Sequence, residues 1–151
     1  MEVIIRQVRK HEIDDVYMLE KNVYKPINYP MFVLRQFYDL MPELFLVALN
    51  ENNEILGYTQ GGLNIENNEG WILSLATNQK HRGKGVGGLL SKKLIDRLKL
   101  RYIERILLTV HPENDSAVSL YTRMGFKIND EVQDYYGDGE PRFEMELRID
   151  D

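Results

Sequence analysis

Arg82-Gly83-Lys84-Gly85-Val86-Gly87-Gly88 follows an apolar segment, Trp71 to Thr77, and leads into Leu89, Leu90, Leu94 and Leu98, which recur with Val86 at helical spacing. A loop of this kind at a helix start presents several unpaired backbone N–H groups at the positive end of the helix dipole. Glycine lets phosphate oxygens approach that backbone closely, and Arg82 and Lys84 add positive charge. The stretch therefore reads as an anion site suited to a diphosphate. A Walker loop is excluded by the missing Gly-Lys-Ser/Thr ending. Gly83, Gly85 and Gly88 do match a dinucleotide fingerprint, and Glu104 lies near the offset of a ribose-binding acid. Two features count against that reading. Asn78 to Arg82 separate the strand from the glycines, and the chain after Gly88 is too short for a second mononucleotide half.

Upstream, Val3 to Val8 reads as a strand, and Ile13, Val16, Tyr17, Leu19 and Glu20 as one face of a short helix. Pro26 and Pro30 bracket a loop before a second helix from Met31 to about Leu40, ended near Pro42. Leu44 to Leu49 and Ile55 to Ile65 read as strands joined by the turn Asn50-Glu51-Asn52-Asn53, with Gly57, Gly61 and Gly62 marking bulges. Glu66 to Gly70 turns again into the strand Trp71 to Thr77. The long helix is expected to end near Tyr102. Arg105 to Val110 then reads as a strand, Ser116 to Met124 as a short helix stopped by Gly125, and Phe126 to Val132 and Phe143 to Arg148 as the last strands. Tight turns predict antiparallel neighbours, whereas the helical crossover predicts parallel strands on either side of the long helix. The expected class is α/β (α+β mixed): one domain over residues 1–151, with a mixed sheet of about six to seven strands and helices on both faces.

The composition suits that size. The 151 residues are 43% hydrophobic and 28% charged, enough for one core without disulfides or structural metal. Cysteine is absent, which excludes a thiol nucleophile and a cysteinyl zinc site, and three scattered histidines predict no metal. With 24 acidic against 19 basic side chains, a net charge of -5 argues against nucleic acid as a partner and mildly favours cationic substrates. The N-terminus, Met1-Glu2-Val3-Ile4-Ile5-Arg6, carries no targeting pattern and no apolar run is long enough for a membrane span, so a cytoplasmic protein, monomer or homodimer, is expected.

Arg82-x-x-Gly85-x-Gly87 resembles the Arg/Gln-x-x-Gly-x-Gly/Ala motif of GNAT acetyltransferases, whose main-chain amides grip the coenzyme A pyrophosphate. Asn114-x-x-Ala117-x-x-x-Tyr121-x-x-x-Gly125-Phe126 resembles the second block of that family, and the resemblance covers essentially the whole chain. More narrowly, Pro26-Ile27-Asn28-Tyr29-Pro30-Met31 and Tyr135-Tyr136-Gly137-Asp138-Gly139-Glu140 resemble the two loops that flank the peptide slot of protein N-terminal acetyltransferases. These include the ribosomal-protein acetylating enzymes and the archaeal and eukaryotic catalytic subunits.

The resemblance implies the GNAT fold and an acetyl-CoA-dependent N-acetyltransferase. It places the cofactor on Leu75, Ala76, Thr77, Arg82, Gly83, Lys84, Gly85, Val86, Gly87, Gly88, Asn114, Ala117 and Tyr121, with Tyr121 also the general acid. The resemblance puts Trp71 where family members often carry a catalytic Glu and Thr109 where N-terminal acetyltransferases carry Glu or His, so no carried-over base survives. Strand alternation leaves His111 or Glu69 as candidates. An α-amine with pKa about 7.8 is roughly a tenth neutral at pH 7, against a few parts per ten thousand for lysine at about 10.4. A weak base suffices for the former, so the expected acceptor is the α-amine of a peptide or protein N-terminus. Tyr29, Trp71, Tyr135 and Tyr136 are expected to contact it, with Asp138 or Glu140 available to attract an ammonium. Two alternatives stay open: a small amine such as a polyamine, amino acid or antibiotic as acceptor, and a non-catalytic acyl-CoA-binding protein.

Overall fold

The chain orders its elements as β1 (Ile4–Gln7), α1 (Ile13–Val23), α2 (Met31–Leu40), β2 (Phe45–Leu49), β3 (Ile55–Asn64), β4 (Glu69–Thr77), α3 (Val86–Lys99), β5 (Arg105–Val110), α4 (Asp115–Arg123), β6 (Lys127–Val132) and β7 (Arg142–Arg148). This is a computed structural model that describes residues 2–24 and 27–149; the loop proline Pro26 lies outside the described residues. The strands form one sheet in the order β1-β2-β3-β4-β5-β7-β6. Only β4 and β5, the strands flanking α3, pair in parallel; every other pair is antiparallel. The long helix stops at Lys99, short of Tyr102, because Tyr102 takes a left-handed conformation (φ 56) that a right-handed helix cannot continue.

Helices cover both faces, and β2 shows why. Leu46 and Ala48 pack into a core with Leu90, Leu94 and Leu98 of α3, whereas Phe45, Val47 and Leu49 pack into another with Val16 and Leu19 of α1 and Leu34 of α2. A strand buried on both faces reads as a continuous apolar run, since neither side can alternate to polar. Leu90 and Leu94 are fully buried, and each such side chain contributes about 1.5–3 kcal/mol by leaving water. A Cβ on Gly61 would lie 2.8 Å from Leu94 Cδ1, so glycine there lets α3 lie close against β3.

One irregularity positions the site. The register of β3 against β4 shifts between Gln60 and Gly61, where Gln60 pairs with Ser74 but Gly61 with Ile72. Ile72 therefore packs on the α3 side, while Ser74 and Ala76 turn to the α1 side. β4 and β5 pair only through Glu69–Arg105, Gly70–Ile106 and Trp71–Leu107. Beyond Trp71 they separate, and the opening becomes a cleft. No helix among the described residues is long and apolar enough to cross a membrane.

Candidate functional site

The cleft between β4 and β5 is a cavity of about 540 Å³. Its walls come from both faces of the sheet: Asn114, Ala117 and Tyr121 from the α4 side, and Glu20, Val23, Tyr24 and Tyr29 from the α1 side. It therefore passes between the strands. A larger groove of about 970 Å³, lined by Arg6, His11, Asp15, Asn22 and Lys80 among others, contains neither the glycine loop nor Tyr121.

At the glycine loop, the first helical bond runs from the Leu89 N–H to the Gly85 carbonyl at 3.1 Å. The N–H groups from Gly83 to Gly88 make no hydrogen bond among the described residues. Gly83 and Gly85 take left-handed backbone (φ 78 and 81), and a Cβ on either would meet nothing within 4 Å. The loop thus borders open space and leaves its amides unbonded, with the exposed side chains of Arg82 and Lys84 beside them. Val86 turns its side chain into the core, so only its amide belongs to this cradle. A Cβ on Gly87 would touch Leu75 (3.5 Å), Thr77 (3.6 Å) and Leu120 (3.7 Å), so the first turn of α3 sits against the end of β4.

The splayed half of β4 offers main-chain groups to the cleft. The carbonyls of Leu73 and Leu75 accept from the hydroxyls of Tyr29 (3.2 Å) and Tyr24 rather than from β3. In an antiparallel pair a residue turns its N–H and C=O to the same side. Leu75 pairs regularly with Thr59, so its amide faces the cleft too; Leu73 sits at the register shift and only its carbonyl is placed. Thr77 shares the phase of Leu75, whereas Ala76 pairs with Tyr58 and buries its side chain on the α1 side.

Tyr121 is 5% exposed, its ring edge-on to Phe126 at 5.4 Å. Burial pushes its hydroxyl up to about 12, which the nearby Ser91 hydroxyl offsets only in part. Asn114 caps α4 by accepting from the Ala117 N–H at 3.2 Å, which fixes the turn that carries Tyr121.

On the opposite wall, Tyr29 and Tyr136 both line the cleft. Burial first, then Tyr136 and Glu20, push Tyr29 up to about 12. The Tyr136 hydroxyl is 2.6 Å from Thr109 Oγ1, and the Arg142 guanidinium lies 5.4 Å from the centre of its ring. Tyr135 stacks edge-on against Tyr136 at 4.7 Å, behind the wall rather than in it. Arg142 pairs with Asp138 at 3.0 Å; the Glu140 amide, then Arg142, hold the Asp138 carboxyl below its ordinary range.

The two candidate bases fare differently. His111 lines the cleft, but its Nδ1 accepts from the Glu113 N–H at 3.1 Å, and Nε2 lies 3.8 Å from Glu140. With Nδ1 accepting, the neutral ring carries its proton on Nε2 and has no spare lone pair. Glu69 lies outside the cleft, six residues before Leu75 and so about 20 Å along the strand. Its carboxylate is 5% exposed and paired with Arg105, which also reaches Glu146 at 3.0 Å. Trp71 likewise falls short, at the last paired position before the strands part.

The structure adds two residues that the motifs do not contain. Tyr24, at the end of α1, is half-buried and bonded to Leu75. Glu20 is 2% exposed and lies on the cleft wall. Its signal in the sequence was a carboxylate on the buried stripe of α1, beside Ile13, Val16 and Leu19.

Residues 9–126 match the family described as acetyltransferase (GNAT). The chain is 33% identical over 148 residues to the N-terminal acetyltransferase A complex catalytic subunit NAA10 of Arabidopsis thaliana, covering 94% of this chain and 77% of that protein. It is 32% identical to an uncharacterized N-acetyltransferase of Methanocaldococcus jannaschii, covering 91% and 86%. The solved structure of Ard1 from Thermoplasma volcanium superposes with a TM-score of 0.90 over the whole of both chains at 22% identity.

Proposed function

The chain belongs to the GNAT acetyltransferase family, and on that premise we propose that it acetylates the α-amine of a protein or peptide N-terminus by direct attack in a ternary complex. That it is an acetyl-CoA-dependent N-acetyltransferase follows from the family. The choice of acceptor rests on the cleft and on the plant relative, a catalytic subunit for N-terminal acetylation. The observation that carries it is the form of the cleft, which joins α4 on one face to a tyrosine-lined slot on the other.

The residues present fit the cofactor. Unpaired amides from Gly83 to Gly88, open space at Gly83 and Gly85, and the charges of Arg82 and Lys84 suit a diphosphate. Acetyl-CoA supplies an acetyl group on a thioester, whose carbonyl carbon a neutral amine can attack. Leu75 and Thr77 turn main-chain groups toward the cleft side, where N–H donors can bind a carbonyl oxygen as it gains charge. Tyr121 keeps its proton through the neutral range and holds it at the α4 wall, as the general acid for a departing thiolate.

On the acceptor side, Tyr29 and Tyr136 line the slot for an extended terminus, together with Asp138 and Glu140. His111 spends its lone pair on Glu113, so no strong base stands ready there. An α-amine, about a tenth neutral at pH 7, needs none. The test is a peptide library incubated with acetyl-CoA, with mass spectrometry reading which nitrogen is acetylated. Terminal α-amines should be modified; faster turnover of an internal lysine in matched peptides rules the proposal out.

A further inference from the structure

Glu20 is a buried carboxylate with no cationic partner among the described residues. Its Oε1 accepts from the hydroxyls of Tyr58 and Ser74 (3.0 Å for Ser74), and its Oε2 accepts from the Tyr29 N–H at 3.0 Å. All three donors are neutral. A carboxylate offers about four acceptor sites, so Oε2 keeps a lone pair unused. A buried charge without a counter-charge is costly, and only neutral donors offset it here. The residue sits on the acceptor side of the cleft wall, bonded to the β4 segment that has parted from β5. The other cleft carboxylates are differently engaged: Asp138 is paired with Arg142, and Glu140 is exposed beside His111.

We infer that Glu20 is the residue that recognises the acceptor's amino group, accepting a hydrogen bond from it at Oε2. This rests on reading the cleft as the acceptor site. It makes Glu20 a specificity residue for amines, and Tyr58, Ser74 and the Tyr29 amide the groups that hold its carboxylate in place.

The test is calorimetric binding, with coenzyme A present, of a short peptide and of the same peptide lacking its α-amino group. Wild type should bind the free-amine peptide roughly tenfold more tightly or better, as expected for a hydrogen bond to a charged group. Glu20→Gln should abolish that preference while leaving affinity for the des-amino peptide within a few-fold. A residue that only steadies the Tyr29 loop would weaken both peptides equally, and that result overturns the inference. Equal binding of both peptides by wild type overturns it without any variant, should Glu20→Gln fail to fold. The peptide reading fails separately if neither peptide binds while a diamine does. The diamine and its matching diol, compared in the same two proteins, then decide the role of Glu20.

Discussion

The Tyr29 hydroxyl donates to the Leu73 carbonyl at 3.2 Å, tying the loop after α1 to the part of β4 that has left β5. Tyr24 does the same for Leu75. Strands that part leave carbonyls without a ladder partner, and an unpaired buried acceptor costs about 1–3 kcal/mol. The two tyrosines remove that cost, so the open strand and the acceptor wall depend on each other.

Tyr29→Phe keeps the ring against Phe37, 5.2 Å away, and removes only the hydroxyl. The expected loss is about 1 kcal/mol of stability in urea unfolding. KM for the acceptor should rise several-fold with kcat nearly unchanged. A fall in kcat with KM constant would place Tyr29 in the chemistry instead.

Tyr121→Phe leaves the packing on Phe126 intact and removes the acid. Loss of a general acid should lower kcat by about a hundredfold or more, with coenzyme A affinity unchanged. A folded variant with full kcat would strike Tyr121 from the mechanism.

His111→Ala should leave the shape of the pH–rate profile as it is, since Nδ1 is committed to Glu113 and the ring is no ready base. Disappearance of the acidic limb of kcat/KM in the variant would make His111 the base after all.

Burial pushes the hydroxyls of Tyr24, Tyr29, Tyr58 and Tyr121 up, to about 12 for Tyr29 and Tyr121. The neutral form is thus favoured in the folded chain. Its contribution is complete below the unfolded value of about 10 and is lost as pH climbs from there through the folded values. Urea unfolding at pH 8 and pH 11 should differ by on the order of 1 kcal/mol per buried tyrosine. Equal stability at the two pH values would mean that these hydroxyls ionise freely in the fold.

The glycine loop and α3 were legible because each is a local pattern: unpaired amides and helical spacing. The cleft was not, because it arises where the register of β3 on β4 shifts opposite Leu73, far from any turn. The β4–β5 pairing ends at Trp71, so Glu69, a candidate by strand alternation, and Trp71, a candidate by resemblance, lie on the paired segment and not along the cleft. Placing β7 between β5 and β6 is likewise a long-range choice that no local spacing reveals. Glu20 was visible as a polar residue on an apolar stripe, but its partners Tyr58 and Ser74 lie 38 and 54 residues further on, so its surroundings could not be read locally.

The central claim, that free amides of one glycine loop hold the cofactor diphosphate, is tested most directly by titrating coenzyme A into wild type and Gly85→Ala in a calorimeter. An alanine at Gly85 meets no atom within 4 Å, so the left-handed backbone should cost only about 1–2 kcal/mol of stability while the new Cβ intrudes on the anion's approach. Wild type should bind with measurable heat, and the folded variant roughly tenfold or more weakly. No heat with folded wild type, or undiminished affinity in Gly85→Ala, would contradict the claim.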